Sequence, residues 1–471
     1  MQAEREHILP EFVRVRDVFH LAWPITVAML SYTVMGVVDT LFVGRLGTGP
    51  LAAVGLAAIA SHLALAFPNG LMRGVKVTVA QRTGAGDRDA AMRLGWQGVY
   101  IAAFFGFLIA ALAAAGPEWF EFLGASRAVG ELASSYFGVR VLGAPLVFGM
   151  SAVTAWFQGR GDTRTPMVAS LLANGLNIAM DPIFIFGVGP VPAMGLPGAA
   201  AATVLSFGVG LIFLVWRFLP EMADTPRAPR LDLLRAIGRI GAPIGVQWEI
   251  EVGAWVVFSA ILASVGEVEL AAHVMVIRII SVSFLPGHAV SEAAGVMVGH
   301  AVGARRPEAA RQAFAAACKL SVALMFAMGV LFVAAPSALT APFGVEPEVA
   351  AVAHTLLIIA ATFQVFDALT MAAFGALSGA GDTRFVMTAG ILSGWLIKLP
   401  VGAALAMPLG MGAAGAWVGL TVEIVVLAGV GLWRLRGDAW LADARAPLAD
   451  EGAGEAPEAE AVTADGEIAA K

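Results

Sequence analysis

The sequence predicts an all-α polytopic membrane protein, with twelve transmembrane helices in two six-helix lobes related by a parallel internal repeat. Three observations carry this. Of the 471 residues, 59% are hydrophobic and only 14% charged, and the mean hydropathy is +0.81, outside the range of soluble domains. Apolar stretches long enough to cross a hydrocarbon core, which takes about 20 residues, recur twelve times. Landmarks of the first half return in the second at a nearly constant offset.

In chain order, the apolar stretches run approximately over 18–43, 51–80, 94–115, 129–157, 166–187, 195–218, 239–264, 270–302, 312–335, 348–378, 385–407 and 411–433. The second, fourth, eighth and tenth exceed the spanning minimum and are expected to tilt, bend or project from the bilayer. The first is full length and no small-residue cleavage site follows it, so it is expected to stay in the mature protein. Prolines and charges in Leu219 to Leu234, LPEMADTPRAPRLDLL, interrupt the pattern and mark a linker. The expected organisation is therefore an N-terminal segment (1–17), an N-lobe (18–218), a linker (219–238), a C-lobe (239–437) and an acidic, disordered tail (438–471). That tail, with nine acidic residues against two basic ones, accounts for the whole of the net charge of -6.

The repeat shows at four landmarks. GDTR occurs at Gly161 to Arg164 and again at Gly381 to Arg384, 220 residues apart. Pro24 in LAWPI matches Pro243 in IGAPI at 219, as Leu51 in LAAV matches Leu270 in LAAH. Met194 in MGLPGAA matches Met411 in MGAAGAW at 217. A unit of six spans is even, so both halves begin on one side of the membrane and the repeat axis lies along the membrane normal. On one side the loops hold only Arg45 and Arg127. The N-terminus and the loops on the other side hold nineteen arginines, and the positive-inside rule makes that side, with both termini, cytoplasmic. The expected location is the inner, plasma membrane.

Polar chemistry concentrates in Leu171 to Gly187, LLANGLNIAMDPIFIFG. Spacings of three and four place Asn174, Asn177 and Asp181 on one helical face. Pro182 has no N–H, which leaves the carbonyl of Ile178 free to bond elsewhere. Ionisable groups within a span cost about 3 kcal/mol or more and mark pathways, relays or ion sites. A packing cluster of amides is the competing reading. At the repeat offsets Asp39, Asn177 and Asp181 fall opposite Phe258, Ile397 and Val401, so this cluster belongs to the first half alone. The second half carries Glu249 and Glu251 in its first span and Asp367 in its fourth.

Arg73, Lys76, Arg140, Arg278 and Lys398 fall in apolar spans and are expected to snorkel or to pair with acids near the cytoplasmic ends. Lys398 has no acid beside it in the sequence. The seven histidines lack ligand spacing, and the single cysteine, Cys318, excludes an internal disulfide. His20 is expected to cap the entry to the first span. Trp23, Trp248, Trp395 and Trp417 are expected at interfaces or in packing, although their rings also suit cation–π contacts.

The motifs LAWPI, VVDTLFVGRLG at Val37 to Gly47, GRGDTRTP at Gly159 to Pro166 and GAAAATVLS at Gly198 to Ser206, in this order across twelve spans, resemble the multidrug and toxic compound extrusion (MATE) family from Val18 to Trp433. The resemblance implies a cation-coupled antiporter that exports organic, drug-like, often cationic compounds against sodium ions or protons. It also implies a cation site of Asp39, Asn177, Asp181 and Thr203, whose side chains offer the oxygen ligands a hard cation prefers. Glu251 and Asp367 resemble a second set, used in some relatives for substrate binding or coupling. No cofactor is implied beyond the coupling ion, and no metal beyond sodium. Expected partners are small organic substrates and membrane lipid, with no nucleic acid, and the protein is expected to be monomeric. The alternative is a lipid-linked substrate flippase of the same superfamily, which calls for a cationic cavity. No H-E-x-x-H or Walker A sequence supports an enzyme or an ATP-driven pump.

Overall fold

The computed structural model describes residues 10–114, 116–122 and 124–443. Residues 1–9 of the expected N-terminal segment and most of the expected acidic tail lie outside the described residues. Among the described residues, eleven helices are long and apolar enough to span a membrane, and a bent pair brings the number to twelve. In order, the spans are Val15–Gly44, Thr48–Gly84, Arg88–Ala110, Arg127–Leu142 with Ala144–Gly159, Arg164–Phe186, Leu196–Glu221, Leu231–Val265, Glu267–Gly303, Pro307–Ala334, Pro347–Ala380, Thr383–Ala406 and Gly412–Arg436.

Span four bends by 45° at Gly143, just before Pro145, which has no N–H for the carbonyl of Val141. Span eleven continues through a π-helical turn, Gly394–Lys398, ahead of Pro400. Span one starts at Val15, so His20 lies inside it and does not cap its entry.

The repeated GDTR is a corner between two spans. Gly161 (φ +89°) and Gly381 (φ +94°) adopt the left-handed backbone that ends a helix and that only glycine accepts freely. Asp162 Oδ1 then accepts from the N–H groups of Arg164 and Thr165 at 3.1 and 3.0 Å and so holds the start of span five. Asp382 instead accepts from Arg434 Nε at 2.7 Å, which ties the corner to the end of span twelve.

Spans one to six pack with one another, as do spans seven to twelve. Between the lobes, span two lies against spans seven and eight, and span eight against span one. The pairs two with seven and eight with one exchange under the repeat, as a two-fold axis along the normal requires. The contacts gather at the arginine-rich end. Val18 and Ala22 share a core with Val290, Ala294 and Val298. Gln81 Nε2 donates to Gly379 O at 3.0 Å, and His300 Nε2 lies 2.8 Å from Gly159 O.

Spans two and seven approach backbone to backbone through two glycine pairs spaced by four. A methyl group on Gly241 would sit 2.7 Å from Leu71 Cα, and one on Gly74 would sit 2.8 Å from Gly241 N. Small residues at such spacing allow close helix crossing in lipid, where packing and not water exclusion drives association. Gly74→Leu or Gly241→Leu should therefore hold the lobes apart, leaving membrane insertion intact and lowering the melting temperature of the purified protein by several degrees. A melting curve unchanged in both variants would refute the role of the crossing.

Candidate functional site

Spans one, five and six bring all four N-lobe residues together. Span one packs on span five, and span five on span six. Asn177 and Asp181 are fully buried, Thr203 nearly so, and Asp39 half-buried. The carboxyl of Asp39 lies within hydrogen-bonding reach of that of Asp181. Asn177 Nδ2 points at Asp181 Oδ1 and Thr203 Oγ1, at 3.5 and 3.4 Å. Thr203 spends its own proton on Ala199 O at 3.0 Å, leaving its lone pairs free to accept.

Among the described residues, Asp39 Oδ1, Asn174 Oδ1, Asn177 Oδ1 and Asp181 Oδ2 are buried acceptors without a hydrogen-bond partner. Buried polar atoms normally find a hydrogen-bond partner, so these four acceptors differ from an ordinary cluster of helix-packing amides. Asn174 itself donates to Ser31 Oγ at 2.6 Å, which ties span five to span one beside the cluster. Arg140 of span four stands within electrostatic reach of Asp39.

A cavity of about 400 Å³ opens between the lobes, mostly on the C-lobe side. Glu251 and Asp367 both line it. Glu251 is exposed within it, whereas Asp367 is buried with Oδ2 unpartnered. The cavity is ionically mixed. Arg73 Nη1 of span two pairs with Glu292 Oε1 of span eight at 2.8 Å, and Lys76 Nζ pairs with Glu292 Oε2. The Arg73 guanidinium also lies 4.3 Å from the centre of the Trp248 ring. Lys398 Nζ lies 3.4 Å from Glu423 Oε2.

These pairs correct the sequence reading at several points. Lys398 has an acid partner, Glu423, on the next span. Of the two outcomes expected for Arg73 and Lys76, pairing with an acid is the one found: both bridge the lobes through Glu292. Trp248 faces the cavity, whereas Trp417 is buried and donates to His273 Nδ1 at 3.3 Å. Glu249, without a role in the sequence, accepts from the Phe67 N–H at 3.1 Å, next to Pro68 of span two. Sequence reasoning missed Glu292 and Glu423. The signal was present, since each is a lone acid in an apolar span, in SEAAG and LTVEIVV.

The description of the MatE family matches residues 24–183 and again 243–404. The chain belongs to the MatE family. The two matches start 219 residues apart, which is the spacing of the repeat, and they contain Asp39, Asn177, Asp181, Glu251, Asp367 and Lys398. The chain is similar to a Deinococcus radiodurans protein named "Probable multidrug resistance protein NorM", at 32% identity over 89% of this chain and 94% of that protein. A Burkholderia pseudomallei protein of the same name is 30% identical over 89% of this chain and 92% of its own length. Among solved structures, an outward-facing multidrug resistance MATE family transporter superposes with a TM-score of 0.84 at 26% identity, over 90% of this chain and 96% of that one. As a MatE member the chain is a multi-pass membrane transporter and not an enzyme.

The Arg73–Glu292–Lys76 bridge ties the two lobes of this transporter together ionically. Removing one partner of a buried pair costs about 3–5 kcal/mol, and the low end applies here because the Arg73 side chain keeps 27% exposure. Glu292→Gln should lower the melting temperature of the purified protein by several degrees, and Glu292→Asp should restore part of the loss. A melting curve that does not move in the glutamine variant would show that the bridge holds nothing.

Proposed function

We propose that this transporter is a multidrug efflux antiporter that exchanges sodium ions or protons for organic, drug-like, often cationic compounds by alternating access. One observation carries the reading: the protein holds two separate sites of different character, an acidic cluster in the N-lobe and an ionically mixed cavity between the lobes. The N-lobe cluster is small, buried and rich in unpartnered acceptor oxygens, which suits a bare cation or a proton. The cavity between the lobes is large enough for a small organic molecule and is lined by carboxylates and by the aromatic rings of Trp248 and Trp255, which suits a lipophilic cation. The names of the NorM relatives support the same reading. The cavity carries acids as well as bases, which favours efflux of organic cations over the flippase alternative.

In this proposal Asp39, Asn177, Asp181 and Thr203 bind the coupling ion, and Glu251 and Asp367 attract the substrate. Two carboxylates within hydrogen-bonding reach repel when both are ionised, so a bound cation or proton relieves that repulsion. Ion binding then favours whichever lobe arrangement keeps the site intact, and a ligand shifts the equilibrium only by its differential affinity. The inner membrane and cytoplasmic termini complete the proposal. On that orientation the sealed, arginine-rich end faces the cytoplasm and the arrangement is outward-facing. The protein acts as a monomer, in contact with lipid and small organic substrates.

Asp181→Asn keeps size and hydrogen-bonding capacity while removing the charge. It should insert normally and lose export driven by sodium or proton gradients in proteoliposomes, at least tenfold, with Asp39→Asn behaving alike. The double variant should be little worse than either, because groups acting as a unit are not additive. Gradient-driven export that survives in Asp181→Asn would move coupling to the C-lobe. For orientation, cysteines introduced near Pro190 and near Arg305 after replacement of Cys318 should label from outside and from inside respectively. The reverse pattern would invert the topology.

A further inference from the structure

Lys398, a cavity-lining cation, has surroundings that match those of an organic ammonium. It is 2% exposed and sits on the π-helical turn of span eleven, a feature found often at functional sites. Its Nζ lies 4.6 Å from the centre of the Trp255 ring and 3.4 Å from Glu423 Oε2, and it acts electrostatically on Glu251 across the same cavity. The ion pair is longer than the ~2.8 Å of a tight charge-assisted hydrogen bond, and Glu423 Oε1 has its own donor, Ser393 Oγ, at 3.4 Å. An aromatic face flanked by carboxylates is the environment that binds ammonium ligands. A purely structural bridge would instead favour a short, fully satisfied pair.

We propose that Lys398 is a built-in occupant of an ammonium subsite framed by Trp255, Glu423 and Glu251, and that an organic cation enters this subsite by displacing it. Lys398 is then a specificity-determining residue. Weakly bound cations do not displace it, whereas cations with a large polarisable face compete for the Trp255 ring. The proposal rests on the reading that the cavity takes organic cations, and it adds which cations bind and what they must push aside.

Two measurements on the purified full-length protein test it. Equilibrium binding of tetraphenylphosphonium should be at least fivefold tighter in Lys398→Met than in wild type and unchanged in Lys398→Arg, which keeps the tethered charge. Lys398→Ala opens the space of the lost side chain. Its melting temperature should be recovered by n-butylammonium but not by butanol or sodium ions, while wild type does not respond. Equal or weaker tetraphenylphosphonium binding in Lys398→Met overturns the proposal. So does butylammonium stabilisation that is the same in wild type and Lys398→Ala, or a Lys398→Ala protein that cannot be recovered with or without the amine. Absence of tetraphenylphosphonium binding to wild type and to every variant overturns the organic-cation reading itself. Refilling by butylammonium reads the subsite independently of that outcome.

Discussion

Spans two and seven meet where Gly70 and Gly74 face Gly241 and Gly245, and the rest of the molecule is arranged around that contact. Side chains of any size there would hold the lobes apart at the arginine-rich end. Because the contact is made of backbone, polar groups just beyond it come into register: Glu249 reaches the Phe67 N–H, and Arg73 and Lys76 reach Glu292. The floor of the cavity is thus the top of a helix crossing. Close contact without interlocking side chains also suits two bodies that must separate again, since dispersion and a few ion pairs can be exchanged for other contacts of similar strength.

The two halves share a fold and treat charge in opposite ways. In the N-lobe, acids and amides converge with acceptor oxygens left over, and the nearest cation, Arg140, acts from a neighbouring span. In the C-lobe and along the lobe interface, Glu292 and Glu423 are matched by lysine or arginine, and Glu251 and Asp367 remain facing the cavity. A site that must take up and release a small ion benefits from unsatisfied acceptors. A cavity that must take many organic molecules benefits from modest net charge and from rings that bind without strict geometry.

Much of this was legible in the sequence, for a physical reason. Lipid leaves no place for an unexplained polar side chain, so Asn177 and Asp181 stand out in an apolar helix, and their spacing alone puts them on one face. The spans and their repeat follow from hydropathy and from the GDTR corners, where glycine geometry and aspartate capping are local. What was not legible depends on pairing across the fold. Lys398 and Glu423 are separated by a whole turn between spans, and nothing local joins Arg73 to Glu292. The glycine crossing was hidden differently: with 54 glycines in the chain, a spacing of four is too common to single out a contact. That span four would tilt or bend followed from its length, but where it bends did not, because Gly143 and Pro145 lie within a continuous apolar run.

The π-helical turn at Gly394–Lys398 makes this protein sensitive to insertions and deletions in a way that substitutions do not reveal. Each residue of an α-helix advances the chain by about 100° around its axis. Losing or gaining one residue in this turn would rotate everything on one side of it relative to the other. The polar face of the helix would then turn away from the cavity although every side chain was still present. Lineages that vary freely in the loops of this transporter should therefore keep the length of this stretch fixed, even where its apolar residues drift.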